Sequence, residues 1–161
     1  MSKFMKLIAL AALFALVLGA CAPAQPQPAE SSKPFRVAVI MPSSISDLAF
    51  SQSMYDALVG IQAEMGGPEK FEFVYSENMF QVDNAAAAIR DYAAQGYDLV
   101  IAHGSQYGTS LQEIAPDFPN TAFAHGTTNR TFVEEGIKNV YAYEAASNEG
   151  GYVNGDRKSV V

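Results

Sequence analysis

Basic residues are scarce in this chain. Ten Lys and Arg stand against 17 Asp and Glu, a formal net charge of −7, and no basic cluster lies beyond the first six positions. Because a nucleic-acid-binding protein normally presents a basic surface to the phosphates, we expect no nucleic-acid partner. The 161 residues are also too few for two lobes of about 100 to 150 residues each, so we expect one α/β domain.

Residues for metal binding and catalysis are few as well. The two histidines are His103 and His125, and no spacing motif supplies the further ligands that a metal site needs. No lysine follows Gly108, as a phosphate-binding loop requires, and Ser105 lacks the Gly-x-Ser-x-Gly context of a nucleophile elbow. We expect no metal, no cofactor and no catalytic residue. An enzyme with a flavodoxin-like sheet is kept as a remote alternative.

The N-terminus has the pattern of a secretory signal, predicted over residues 1–20. Lys3 and Lys6 precede an apolar run over residues 7–18, which at roughly 12 residues is too short to span a bilayer. Residues 18–21 (LGAC) then resemble the bacterial lipobox, whose cysteine is acylated after cleavage. Cys21, the single cysteine, is therefore predicted to anchor the protein on the extracytoplasmic face of the cell membrane, since two or three acyl chains give stable anchoring. A free thiol is the alternative.

Both ends are predicted to lie outside the folded domain. Residues 21–33 are rich in Pro, Ala, Gln and Ser without periodicity, which is typical of a flexible tether. Cleavage after residue 20 would leave 8 basic against 17 acidic residues, a charge of −9, so the lipid and not the acidic surface would hold the protein at the membrane. Residues 156–161 (DRKSVV) continue no apolar pattern and are interpreted as a non-native tail, with a native polar C-terminus as the alternative.

Residues 34–155 alternate between strand and helix patterns. Residues 35–41 (FRVAVIM) form an apolar, β-branched run, typical of a strand buried on both faces of a parallel sheet. Met54, Leu58, Ile61 and Met65 then recur at helical spacing before Gly66. Further strands are predicted over residues 71–76, 98–103, 121–125 and 139–143, and further helices over residues 83–95 and 105–115 and from Glu144. This alternation predicts an α/β fold with a doubly wound parallel sheet in the strand order 2-1-3-4-5.

Doubly wound sheets bind ligands beyond the carboxyl ends of their strands, at the switch point of the strand order. The loop after the first strand offers Ser43, Ser44, Asp47, Phe50 and Ser51. Hydroxyls and backbone N–H groups there can hold a polar solute, and the Phe50 ring can stack on a flat one. In the alternative interpretation, Ser46 or Asp47 only caps the following helix and Phe50 only packs against the sheet.

Two further loops are predicted to reach the same edge. After the third strand come His103, Gly104 and Ser105, where the glycine permits close approach and the serine opens a helix that supplies donors. His125 and Gly126 end the fourth strand, beside the third. We predict that these residues contact the solute, with the histidines as hydrogen-bonding groups and not as metal ligands.

Four segments carry a resemblance to a known family: FRVAVIMPSSISDLAFSQSMYDAL, AAAAIRDYAAQGYDLVIAHGSQYG, DFPNTAF and YAYEAASNEGGYVNG. From Phe35 to Gly155 the chain resembles the basic membrane protein family of substrate-binding lipoproteins, relatives of the purine nucleoside receptors. The resemblance implies the first lobe of a type I periplasmic binding fold, without the second lobe. It also implies a small-molecule solute and an ABC permease as partners.

Nucleoside-type members of that family use an aspartate, an aromatic residue and usually an asparagine in the first loop. The corresponding residues here are Asp47, Phe50 and Ser51, so the asparagine is missing. Such members also place an aspartate after the fourth strand for the ribose hydroxyls, where this chain has residues 124–127 (AHGT). The resemblance thus implies a solute receptor of an ABC importer for a nucleoside or another flat polar solute. A surface sensor or adhesion lipoprotein without a transporter is the alternative.

Overall fold

The structure, a computed structural model, describes residues 33–146 together with Glu149 and Tyr152. The predicted signal peptide, Cys21, all but the last residue of the predicted tether and the predicted tail lie outside the described residues. Among the residues that are described, no helix has the length and apolar character needed to cross a membrane.

Five strands form a single parallel sheet in the order β2-β1-β3-β4-β5, which confirms the predicted topology. The strands are β1 (Phe35–Ile40), β2 (Phe71–Ser76), β3 (Leu99–Ala102), β4 (Ala122–Gly126) and β5 (Val140–Tyr143). The helices are α1 (Phe50–Glu64), α2 (Val82–Ala94) and α3 (Gly108–Ile114), with 3-10 turns at Ser105–Tyr107, Ala115–Asp117 and Val133–Glu135. β1 and β3 lie side by side at the point where the chain reverses its winding direction.

The apolar runs of the sequence form a core on both faces of the sheet. Val37 and Val39 of β1 pack in the same cluster as Leu58 of α1. Ala38 and Ile40, which point to the other face, pack in a cluster with α2 and α3. The interior residues of β1 are therefore buried from both sides, as the continuous apolar run predicted. Burying one such aliphatic side chain stabilises the fold by roughly 1.5–3 kcal/mol.

α1 begins at Phe50, shortly after the two residues that the sequence offered as its cap, and its last predicted apolar positions, Ile61 and Met65, are 40% and 48% exposed. Two other helices differ from the sequence prediction. The helix predicted over residues 105–115 is divided into a 3-10 turn and the short α3. The helix predicted from Glu144 does not begin there, because residues 144–146 are irregular, whereas Glu149 and Tyr152 are helical.

Candidate functional site

The carboxyl edge of the sheet contains strained backbone. Leu48, Asn78 and Thr127 have φ values of 56°, 58° and 56°, and they follow β1, β2 and β4 respectively. Leucine and the β-branched threonine rarely adopt this left-handed conformation, which costs on the order of 1–3 kcal/mol per residue. Strain of this kind clusters at ligand sites and switch regions. Its position here agrees with the edge that the switch-point rule selects.

The Asp47 carboxylate organises the loop between β1 and α1. Its Oδ1 accepts hydrogen bonds from the backbone N–H groups of Ala49 (2.8 Å) and Gln52 (3.1 Å), and its Oδ2 accepts one from Ser51 N–H at 3.0 Å. The Ser43 hydroxyl donates a fourth hydrogen bond, to Oδ2. These four bonds use the acceptor sites of a carboxylate. Asp47 lies two residues before the N-cap position, Ala49, and accepts N–H groups of the first turn of α1, the kind of role that the capping alternative gave it.

The same contacts fix the charge state of Asp47. The hydrogen bond from the Ser43 hydroxyl, together with those from the loop backbone, holds the pKa of Asp47 well below its ordinary range. Donors that point at a carboxylate stabilise its ionised form. Asp47 is therefore negatively charged at neutral pH, and that charge is directed at its own loop.

The serines of this loop differ in accessibility. Ser51 is 0% exposed, and its Oγ accepts the Ser43 backbone N–H at 3.2 Å and lies 2.7 Å from the Ser43 Oγ. Ser44 is half-buried, with its hydroxyl 3.0 Å from the Ser46 Oγ. Ser51 therefore supports the loop from within, whereas Ser44 and the exposed Ser46 lie nearer the solvent.

A residue that the sequence interpretation missed also anchors this loop. The Glu77 carboxylate, just after β2, accepts the Ile45 backbone N–H at 2.8 Å. Nearby, the Asn78 N–H donates to the Ser43 carbonyl at 3.2 Å. The rule that ligand sites lie at the carboxyl ends of strands also applies to β2, so the sequence could have indicated that Glu77, directly after β2, lies at this edge. Its role as an anchor for the loop after β1 depends on tertiary contact and had no local signature.

Phe50 and His103 form the centre of the site. Their rings stack with centroids 3.8 Å apart and planes inclined by 12°, and the His103 Nε2 lies 3.1 Å from the Phe50 carbonyl oxygen. His103 is 5% exposed, whereas Phe50 remains 37% exposed. The predicted proximity of the first and second loops is confirmed at this pair. The Phe50 ring is therefore partly accessible to solvent, and its backbone carbonyl is held by the His103 side chain.

The hydrogen bonds of His103 define its tautomer. Burial lowers the pKa of His103, so the neutral ring predominates at neutral pH. Since a carbonyl oxygen can only accept, Nε2 carries the proton and donates to Phe50. Nδ1 is then an acceptor, and it lies 2.7 Å from the hydroxyl oxygen of Tyr143, which donates to it. Burial raises the pKa of Tyr143 above its ordinary value, so its hydroxyl keeps the proton.

His125 makes contacts of a different kind. It is buried, and its Nδ1 and Nε2 each lie 3.3 Å from a carbonyl oxygen, those of Arg130 and Ser105 respectively. Its ring also stacks on Phe132, with centroids 5.8 Å apart. His125 therefore joins the loop after β4 to the loop after β3. It lies beneath the surface where the solute was predicted.

The glycines and Ser105 complete the predicted set. Gly104 and Gly126 are buried, and Ser105 is exposed at the start of its 3-10 turn. A Cβ atom on Gly126 would lie 2.6 Å from the Tyr143 hydroxyl oxygen and 3.1 Å from the Gly104 backbone nitrogen. The structure thus brings all three predicted loops to one edge. Of the predicted set, Phe50 and Ser105 are exposed, and Ser43, Ser44 and Asp47 are half-buried.

Within residues 33–146, no group of three or more His, Cys, Asp and Glu side chains is arranged to hold a metal ion. The accessible groups of the three predicted loops include the Phe50 ring and several hydroxyls. This combination is suited to non-covalent binding of a small polar molecule.

Comparison with known proteins gives the family. Residues 35–157 match the model of the Bmp family, described as ABC transporter substrate-binding protein PnrA-like. The chain belongs to this family. A solved ABC transporter solute-binding protein from Conexibacter woesei DSM 14684 is similar, with a TM-score of 0.57 and 24% identity over 68% of this chain and 34% of that one. Another, from Aeropyrum pernix K1, has a TM-score of 0.55 and 22% identity over 69% of this chain and 28% of that one.

A curated relative carries a different name. The transcriptional activator protein med of Bacillus subtilis (strain 168) is 26% identical over 88 residues, which is 55% of this chain and 26% of that protein. The chain therefore spans about a quarter to a third of the length of these relatives. The likeness to the solved proteins establishes the lobe fold. The family is one of solute-binding proteins and not of enzymes.

Proposed function

We propose that this chain is the N-terminal lobe of an extracytoplasmic solute receptor that delivers a flat, polar solute to an ABC permease. Family membership supports the solute-binding role. The observation that carries the proposal is the Phe50 ring, which is 37% exposed at the switch point and held in place by His103. An aromatic ring that is fixed from one side can bind a second planar group by stacking.

The polar contacts favour a heteroaromatic base over a sugar. Sugar hydroxyls are usually bound by a carboxylate, but the acceptor sites of Asp47 are used by its own loop. The accessible hydroxyls of Ser44, Ser46 and Ser105 can instead donate to the ring nitrogens and carbonyl oxygens of a base. We therefore propose a nucleobase or the base of a nucleoside as the solute that rests on Phe50. In this proposal Asp47 and Ser51 contribute to binding by shaping the loop.

Titration of the ¹⁵N-labelled full chain, followed by NMR, tests this function. Adenine, adenosine and ribose are added separately, up to millimolar concentration, because one lobe leaves much of a solute in water and we expect dissociation constants on the order of millimolar. The base and the nucleoside should shift the amide signals around Phe50 and Ser105, and ribose should not.

Phe50→Leu should abolish those shifts. Phe35→Leu is the matched control, because Phe35 is 44% exposed and begins β1 at the opposite edge of the sheet. Equal shifts in Phe50→Leu and in the unmodified chain would contradict the proposal, as would a response to ribose alone. Tight stoichiometric binding would contradict the view that this lobe needs a partner lobe to enclose its solute.

Membrane attachment through acylated Cys21 is part of the same proposal. It is supported by the LGAC sequence at residues 18–21. Cys21→Ser should release the protein from the membrane fraction and remove the added mass of the acyl chains, measured by mass spectrometry. Retention of Cys21→Ser in the membrane fraction would exclude lipid anchoring at this residue.

A sensor without a transporter is the second candidate. It is favoured by the relative whose name describes a transcriptional activator. Genes for an ATPase and permeases next to the gene for this chain would support the importer. Their absence, with solute binding still present, would support the sensor.

A further inference from the structure

Phe50, His103 and Tyr143 are connected by hydrogen bonds across three separate segments. The Tyr143 hydroxyl at the end of β5 donates to His103 Nδ1, after β3, and His103 Nε2–H donates to the carbonyl of Phe50 at the start of α1. The rings of His103 and Tyr143 are nearly parallel at 9°, with centroids 6.1 Å apart. This separation is too long for contact between ring faces. The two rings therefore meet edge to edge through the 2.7 Å hydrogen bond.

His103 has no ring nitrogen left for a solute in this arrangement. One nitrogen donates to Phe50 and the other accepts from Tyr143, and only 5% of the residue is exposed. At the surface, His103 affects only the position of the Phe50 ring, whose centroid lies 3.8 Å from the centroid of the imidazole. His103 thus acts on the site through Phe50.

Gly126 provides the space that this arrangement needs. A Cβ atom at Gly126 would come within 2.6 Å of the Tyr143 hydroxyl oxygen and 2.9 Å of the ring carbon that carries it. Non-bonded heavy atoms do not approach so closely without displacement of one of them. Any larger residue at 126 would therefore push the hydroxyl away from His103.

We propose that Tyr143 is a positioning residue that acts through His103 to hold the Phe50 ring, and that Gly126 is required because it admits the Tyr143 hydroxyl. The inference rests on the proposed function, since Phe50 is the surface on which the solute is bound. It assigns a role to Tyr143, and it gives His103 and Gly126 supporting roles beneath the site in place of direct contact with solute.

A solute-free measurement tests the positioning itself. Protons held over the face of an aromatic ring resonate upfield, so the His103 ring protons report on the Phe50 ring in the full chain. Tyr143→Phe and Gly126→Ala should both move these signals toward their positions in Phe50→Leu. Tyr141→Phe, the same change at an exposed tyrosine of the same strand, should leave them in place. Unchanged signals in both Tyr143→Phe and Gly126→Ala would overturn the proposal, and if Gly126→Ala does not fold, Tyr143→Phe decides alone.

A double-mutant cycle tests whether the role passes through Phe50. In the full chain, Tyr143→Phe should weaken adenosine binding about fivefold, the effect of losing one net hydrogen bond. In the Phe50→Leu background it should cause no further loss, because coupled residues give non-additive effects. Additive losses would overturn the proposal. If the unmodified chain binds neither base nor nucleoside, the proposed function fails, and the solute-free signals still decide whether Tyr143 positions Phe50.

Discussion

Replacing Ser51 with alanine should destabilise the folded protein by about 2 kcal/mol, because its hydroxyl makes two hydrogen bonds in a fully buried position. Ser51 Oγ accepts the Ser43 backbone N–H at 3.2 Å and lies 2.7 Å from the Ser43 Oγ. Each net hydrogen bond is worth about 1 kcal/mol, and a donor left without a partner adds its desolvation cost. For a folded unit of this size, the melting temperature should fall by roughly 8 °C.

Urea denaturation of the full chain, followed by circular dichroism, measures the change in unfolding free energy. Ser46→Ala is the matched control, because Ser46 lies in the same loop and is exposed, and its change should stay within about 0.5 kcal/mol. If Ser51→Ala is as stable as Ser46→Ala, the buried hydrogen bonds contribute nothing and the reasoning is refuted. A stable Ser51→Ala variant with lost solute binding would restore Ser51 to direct contact with solute.

Three further changes test the site and its support. The pKa of Asp47 lies below the ordinary value of about 3.9, so its charge stabilises the folded state at neutral pH and this contribution is lost as the pH falls below about 4. Asp47→Asn should therefore flatten the acid limb of unfolding free energy against pH, with Asp56→Asn, at an exposed position of α1, as control; an unchanged acid limb would contradict this assignment. Ile89→Ala should cost about 2–5 kcal/mol in urea denaturation, because Ile89 is completely buried, and a loss below about 1 kcal/mol would mean that the core closes around the smaller side chain. Tyr107→Phe should cost about 1 kcal/mol in the same assay, since its hydroxyl donates to the Met79 carbonyl at 2.9 Å; no loss would show that Met79 finds another donor.

The sheet could be predicted from the sequence because its determinants are local and repetitive. The apolar run over residues 35–41 and the later apolar runs predicted the positions of the strands. Their alternation with helices predicted a parallel sheet with the observed strand order. The start of α1 could be located from the capping candidates Ser46 and Asp47, because the helix begins at Phe50 and the Asp47 carboxylate accepts N–H groups of its first turn, four residues before the apolar repeat starts at Met54. Capping chemistry, and not periodicity, determines that boundary.

The contacts within the site were less accessible to sequence reasoning. Tyr143 ends β5 at the ligand edge, so the rule that selected the other loops also covered it, but its hydrogen bond to His103 spans 40 positions of the chain. Likewise, the sequence supplied the two histidines without showing that the ring nitrogens of both lie against groups of the protein itself. Which polar atoms remain for a solute depends on these long-range pairings, and composition and spacing do not encode them directly.

The internal use of polar groups bears on selectivity. Where nucleoside-type members of the family present an asparagine, this chain has Ser51 with no exposed surface, and the adjacent carboxylate of Asp47 accepts four hydrogen bonds from its own loop. The ribose-binding aspartate implied by the resemblance after β4 is also missing from residues 124–127. The second departure removes the group that the resemblance assigns to the ribose hydroxyls. The Phe50 ring and the neighbouring hydroxyls are retained, so the affinity of this lobe should depend on the planar part of its solute more than on any sugar attached to it.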